Sequence, residues 1–179
     1  ACNTTFIISI PFASFEMQYS DHLTINLLAK ILQTSLFDLL RTQKHLLYVI
    51  LATPETSYYG AAIHITGSCV DANIKPILTE LFQYLMNIQK QPIPLDSLKR
   101  EKAKWQMQLN DQAMTPLLLC NYYENQRRLT CNKPKKRTYT YKETRNIIDA
   151  ITYKRVMEIL EKLAISKAVV GYTSKRQMR

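Results

Sequence analysis

The chain has 179 residues, 46% of them hydrophobic and 21% charged, with a formal net charge of +10; this is a soluble globular composition, long enough for one domain with a core of its own. Its three glycines, Gly60, Gly67 and Gly171, are scattered, which excludes a glycine-rich phosphate loop. The four cysteines, Cys2, Cys69, Cys120 and Cys131, form no C-x-x-C pair, so a zinc ribbon or finger is not expected and they read as buried free thiols.

Residues 4–12 alternate, with Phe6, Ile8, Ile10 and Phe12 on one face of a strand. Residues 21–40 predict a helix that Asp21 can cap, with Leu28, Ile31, Leu32, Leu36, Leu39 and Leu40 as its apolar stripe. Residues 46–53 form a nearly continuous apolar run, as in a buried strand. A turn over Pro54–Tyr59 leads into a strand over 60–68, which completes a hairpin. Asp71 opens a helix with Ile74, Ile77, Leu78, Leu81, Phe82 and Leu85 at helical spacing, broken at Gln91–Pro94. A charged helix follows, with Leu98, Trp105 and Leu109 on its apolar side. Thr115-Pro116 starts a helix to about Leu129, and Lys133–Arg137 reads as a basic loop. Thr140 and Glu143 spell a capping box. Thr152 begins the last helix, with Val156, Ile159, Leu160 and Leu163 inward, and 167–173 is a closing strand. Strands bunched early and helices after them predict an α+β fold, a mostly antiparallel sheet with helices packed on one face, as one domain over 1–179.

No apolar run reaches the roughly 18 residues that cross a bilayer, and no basic segment precedes an apolar one at the N-terminus. The chain is therefore expected to have no membrane span and to be soluble, intracellular rather than secreted. The basic runs Lys99–Lys104 and Lys133–Arg137 read as a solvated helix face and a solvated loop. Their other reading is an attraction for acidic surfaces or nucleic acid, which Tyr139 and Tyr141 beside the second run would suit.

Zinc-assisted hydrolysis needs two or three histidines or carboxylates that converge. The three histidines, His22, His45 and His64, fall on separate predicted elements, and neither H-E-x-x-H nor H-x-x-E-H occurs. No G-x-S-x-G elbow is present either. No catalytic residue, metal ligand or cofactor site is expected in this chain.

The segment Leu36-Phe-Asp-Leu-Leu-Arg-Thr-Gln-Lys-His-Leu-Leu-Tyr48 resembles the F-x-x-L-R-T-x-x-x-L-G-Y segment in the C-terminal half of the insulysin and pitrilysin (inverse zincin, M16) metallopeptidases. Ile93–Lys104, Ile148–Val156 and Ala168–Gly171 are similar to later parts of the same repeat, so that the likeness covers nearly the whole chain. The resemblance implies an αβ roll that pairs with other such repeats around an enclosed chamber. It implies a partner, the catalytic half-domain, in the same parent chain or as a separate subunit, that carries H-x-x-E-H, the zinc and the general base. It also implies that Arg41 and Tyr48 reach across to the bound peptide substrate. A guanidinium and a phenol suit that role, because both donate hydrogen bonds to peptide carbonyls or to a developing oxyanion.

Without the resemblance, Arg41 reads as a cation at a helix C-terminus and Tyr48 as a strand aromatic. One departure stands out: the family's glycine before the tyrosine is Leu47 here. A degenerate scaffold subunit, like the core subunits of respiratory complex III, is the second reading, and a nucleic-acid-binding module the third.

Overall fold

The computed structural model describes residues 3–13, 17–57, 60–91, 93–112, 115–130 and 137–173. Four strands, β1 (Asn3–Pro11), β2 (Val49–Ser57), β3 (Gly60–Val70) and β4 (Val169–Thr173), form one antiparallel sheet in the order β2-β3-β1-β4. The helices are α1 (Tyr19–Phe37), α2 (Ile74–Ile88), α3 (Leu95–Gln112), α4 (Pro116–Thr130), α5 (Tyr141–Ala150) and α6 (Tyr153–Glu161). A π-helical turn, Asp38–Gln43, extends α1, and 3₁₀ turns occupy Asp71–Asn73 and Ile165–Lys167.

Strand alternation decides which face of the sheet is covered. Phe6, Ile8 and Ile10 of β1 are buried with Ile50 and Ala52 of β2 and Ile63, Ile65 and Cys69 of β3, whereas Ile7 between them is 46% exposed. The helices lie on the first of these faces, as expected for the α+β class.

α1 is the central helix. Ile25, Leu27, Leu28, Ile31, Leu32 and Leu36 are fully buried, each contributing roughly 1.5–3 kcal/mol of burial. Burial nearly all round makes it apolar enough that Tyr19–Gln43 passes, by length and composition, for a membrane-crossing helix, contrary to the sequence expectation. More than half of that stretch is instead buried between sheet and helices, as in a core helix, and only its end, from Phe37 onward, carries exposed residues.

Local signals place most of the helix starts. Thr140 Oγ1 accepts the Glu143 N–H at 3.2 Å while the Glu143 carboxylate accepts the Thr140 N–H at 2.9 Å. Thr152 caps α6 at the Arg155 N–H, and Pro116 occupies the first position of α4. At α1 the expectation is corrected. Gln18 is the N-cap, and Asp21 sits inside the first turn, accepting the Gln18 N–H at 2.9 Å. Asp21, only 2% exposed, also accepts Arg155 Nε at 3.1 Å and Nη2 at 2.5 Å, which ties α6 to the start of α1.

β2 also departs from expectation. It starts at Val49 and runs through Pro54 to Ser57, so the residues read as a turn from Pro54 are strand. It is an edge strand with only one face buried: Val49 and Leu51 are exposed. Its outer side is occupied, since the Ala52 N–H donates to Gln33 Oε1 at 3.2 Å and Pro54 has no N–H to offer. At the opposite edge β4 pairs with β1 over Thr5–Ser9, and every residue of β4 but Gly171 is exposed.

Candidate functional site around Arg41 and Tyr48

The site is built where the apolar stripe of α1 runs out. Leu36 and Leu40 remain buried, but after Phe37 the helix widens into the π-turn, a rare element often found at functional sites. The Lys44 N–H bonds to the Leu39 carbonyl at 3.1 Å and the Leu46 N–H to the Leu40 carbonyl at 2.8 Å, closing the turn. Between them His45 takes a φ of 53°, the left-handed conformation that glycine or asparagine usually supplies after a helix. The chain therefore reverses sharply. Asn73 Nδ2 then donates to the Leu46 carbonyl at 2.9 Å, and the Tyr48 N–H to the Ser68 carbonyl at 3.0 Å, just before β2 begins.

This reversal brings Arg41 and Tyr48 together. Arg41 Nη1 donates to the Tyr48 carbonyl, and its guanidinium lies 5.5 Å from the centre of the Phe37 ring. Arg41 is exposed and Tyr48 is 51% exposed. Two nearby acids are engaged with other groups: Asp38 on the π-turn accepts from Gln43 at 2.8 Å, and Glu80 on α2 pairs with Lys44 at 2.6 Å. A guanidinium has five N–H donors in a fixed fork, so most of its donor capacity and the Tyr48 phenol can be offered to a ligand carbonyl or oxyanion. Leu47, which stands where the resembling family has glycine, is 5% exposed and belongs to the core. Burial of that side chain lets the position carry leucine while the neighbouring Tyr48 faces solvent.

The remaining candidates stay apart. His22 is buried in α1, His45 is exposed on the reversal, and His64 on β3 lies 2.5 Å from Glu55 through Nε2. Among the described residues no group of three His, Cys, Asp or Glu side chains converges, so this donor set does not fit a zinc ion. Cys69 is buried as expected, whereas Cys120 on α4 is exposed, a correction to the reading of all the thiols as buried; Cys2 and Cys131 lie outside the described residues.

Of the second basic run only Arg137 is described, and it pairs with Glu143 at 2.5 Å. Tyr139 stacks on Tyr19 at 4.2 Å and Tyr141 on Tyr122 at 4.0 Å, so both aromatics beside that run stack within the protein. Tyr19 and Tyr122 meet at Thr144, with hydroxyl separations of 3.2 and 2.5 Å. Burial pushes the Tyr122 phenol well above its ordinary range. In the first basic run Lys102 Nζ donates to the Asp149 carbonyl at 3.0 Å and to the Ile151 carbonyl, at the end of α5.

The π-turn, the left-handed His45 and the ring of Phe37 beside Arg41 were missing from the sequence reading. Phe37 alone had a signal: it is the phenylalanine of the F-x-x-L-R-T segment and lies four residues before Arg41, where helical side chains meet.

Comparison with known proteins agrees with this architecture. The family described as the peptidase M16 inactive domain matches residues 3–104, more than half of the chain. No curated protein matches it in sequence. Among solved structures, the periplasmic protease PqqL from Escherichia coli superposes with a TM-score of 0.77 at 12% identity, over 96% of this chain and 19% of that one. The inactive peptidase domain of a Bordetella parapertussis protein gives 0.76 at 13% identity, over 97% and 92%. A chain of complex III2 from Candida albicans gives 0.75 at 11% identity, over 96% and 42%. The chain thus spans between a fifth and two fifths of several larger proteins whose fold it shares, and nearly all of an isolated domain.

Proposed function

The chain belongs to the peptidase M16 inactive-domain family, and we propose that it serves as the noncatalytic half of an insulysin- or pitrilysin-type zinc metallopeptidase, closing the catalytic chamber and gripping the peptide substrate through Arg41 and Tyr48. The whole chain, residues 1–179, acts as one domain in this reading. The observation that supports it is the Arg41 Nη1 bond to the Tyr48 backbone carbonyl, which joins two exposed residues across one chain reversal. Zinc and the general base belong to a catalytic M16 half-domain, in the same parent chain or in a separate subunit. This chain contributes donors to substrate carbonyls or to the oxyanion of the tetrahedral intermediate.

The test is a zinc-dependent peptide-hydrolysis assay on the full-length parent or co-purified complex. Arg41→Ala and Tyr48→Phe should each lower turnover about 10²–10³-fold, the usual effect of removing such a donor, with zinc content unchanged. Absence of both cleavage and zinc in the intact assembly would refute this reading.

The likeness to a chain of complex III2 favours one alternative, a degenerate M16 scaffold. In that case the assembly is stable, inactive and indifferent to both substitutions.

A further inference from the structure

A groove of about 890 Å³ runs between the end of α1, α2 and the start of α3, within the roughly 300–1,000 Å³ typical of ligand sites. Its position gives it meaning. Four residues of the π-turn, Asp38, Leu39, Thr42 and Gln43, line it. The other two face elsewhere: Leu40 is buried in the core, and Arg41 reaches the Tyr48 carbonyl. One short element therefore borders the groove and carries Arg41, whose guanidinium lies 5.5 Å from the ring of Phe37, another lining residue.

The walls define what the groove can hold. Thr42 and Gln43 on the π-turn line it together with Asn87 at the end of α2, Gln91 just beyond that helix and Ser97 on α3. Each of these groups both donates and accepts, as the alternating N–H and C=O of an extended backbone require. Ile88 and Ile93, both buried, supply an apolar floor for small side chains. The lining carries one acid, Asp38, which accepts from Gln43 at 2.8 Å, and one base, Arg100, which lies 3.7 Å from Glu101, so its formal charges balance. The groove therefore makes no demand for a charged ligand. It lacks the cationic cluster that a phosphate would need and the carboxylate cluster that a cation would need.

We infer that this groove is a second peptide-binding site, taking a short uncharged extended segment, and that its occupancy is relayed to Arg41 through the π-turn. A π-turn differs from an α-helix in hydrogen-bond register, N–H to C=O five residues back instead of four. A ligand that bonds to Thr42 and Gln43 in one register shifts the turn by as much as its affinity differs between the two. The relay rests on the proposed role of Arg41; binding in the groove does not.

The experiment is an NMR titration of the chain with a capped penta-alanine peptide. Saturable shifts are expected at the amides of Ser35, Asn87 and Ser97 and at the Arg41 Nε–H. Asn87→Trp, at an exposed helix position that lines the groove, should abolish them. Gln83→Trp, on the same helix outside the groove, should leave binding intact. Shifts confined to Tyr48 and its neighbours, or unaffected by Asn87→Trp, would overturn the site. Groove shifts that saturate while Arg41 Nε stays still would overturn the relay. Concentration-dependent broadening of the groove amides without peptide would assign the groove to a second copy of the chain, which also overturns the proposal.

Discussion

Alanine at position 67 would carry a Cβ 2.5 Å from Phe6 Cζ, 2.8 Å from Phe6 Cε1 and 2.9 Å from the Val49 carbonyl oxygen. The glycine is paired across the sheet with Phe6 on one side and Ile50 on the other, so it is the place where a core aromatic crosses β3. Neither neighbour yields easily. The Phe6 ring is buried among core side chains, and the Val49 oxygen is backbone at the start of β2. Overpacking of this kind costs about 1–3 kcal/mol, and two stiff contacts place Gly67→Ala in the upper half of that range.

For a chain of this size, about 2–3 kcal/mol lowers the melting temperature by roughly 4–12 °C. Thermal melts by circular dichroism, with urea titrations to check that the m-value is constant, measure it. Phe6→Leu relieves only the ring contact, so the double variant should be less destabilised than the sum of the two singles. A melt within about 1 °C of wild type, or strict additivity of the pair, would refute the reasoning. Since Val49 follows Tyr48, the same variant should also shift the Tyr48 amide resonance.

Leu47→Gly restores the residue of the resembling family but removes a buried side chain, and should cost about 2–5 kcal/mol in urea unfolding. An unchanged midpoint would mean that Leu47 is not a core residue. Asp21→Asn breaks a buried ion pair. The loss should be about 3 kcal/mol, at the low end for such pairs, because Arg155 keeps Glu158 and 37% of its side chain is exposed. Glu158→Gln, which removes only the exposed arm, should leave the urea midpoint nearly unchanged. The carboxyl of Glu143 is held below its usual range, first by the Thr140 backbone N–H and then by Arg137. A lowered folded-state pKa adds stability above the unfolded value of about 4.3, and that stability is lost as pH falls through the folded value. Glu143→Gln should therefore melt below wild type at neutral pH and alongside it at about pH 2; a gap that persists in acid would refute the assignment.

Much of the fold was legible because its signals are local. The alternation of Phe6, Ile8 and Ile10, the stripe from Ile74 to Leu85, and the caps at Thr140 and Thr152 each act within a few residues. The errors arose where distant parts of the chain decide. Residues 46–53 are apolar enough for a strand buried on two faces, but β2 lies at the edge and begins at Val49. Asp21 suits an N-cap, yet it sits one turn in, where Arg155 reaches it. At the candidate site, the motif gave Arg41 and Tyr48 and the reversal between them. The π-turn was invisible because its hydrogen-bond register depends on how Leu36 and Leu40 seat in the core. His45 was invisible because histidine, although enriched at positive φ, still adopts it in only a small minority of cases.

The two margins of the sheet have unequal futures. Along β2, Gln33 and Pro54 leave an added strand little to bond with. Along β4 the sequence Val-Val-Gly-Tyr-Thr contains no lysine, proline or other device that discourages pairing, and its residues are mostly open to solvent. The sheet thus has a polarity of growth: a fifth strand, from whatever chain supplies it, would dock on the Val169–Thr173 side. That makes β4 the first place to look when the protein associates, productively or not, and a lysine at Val169 the simplest way to finish the sheet on both sides.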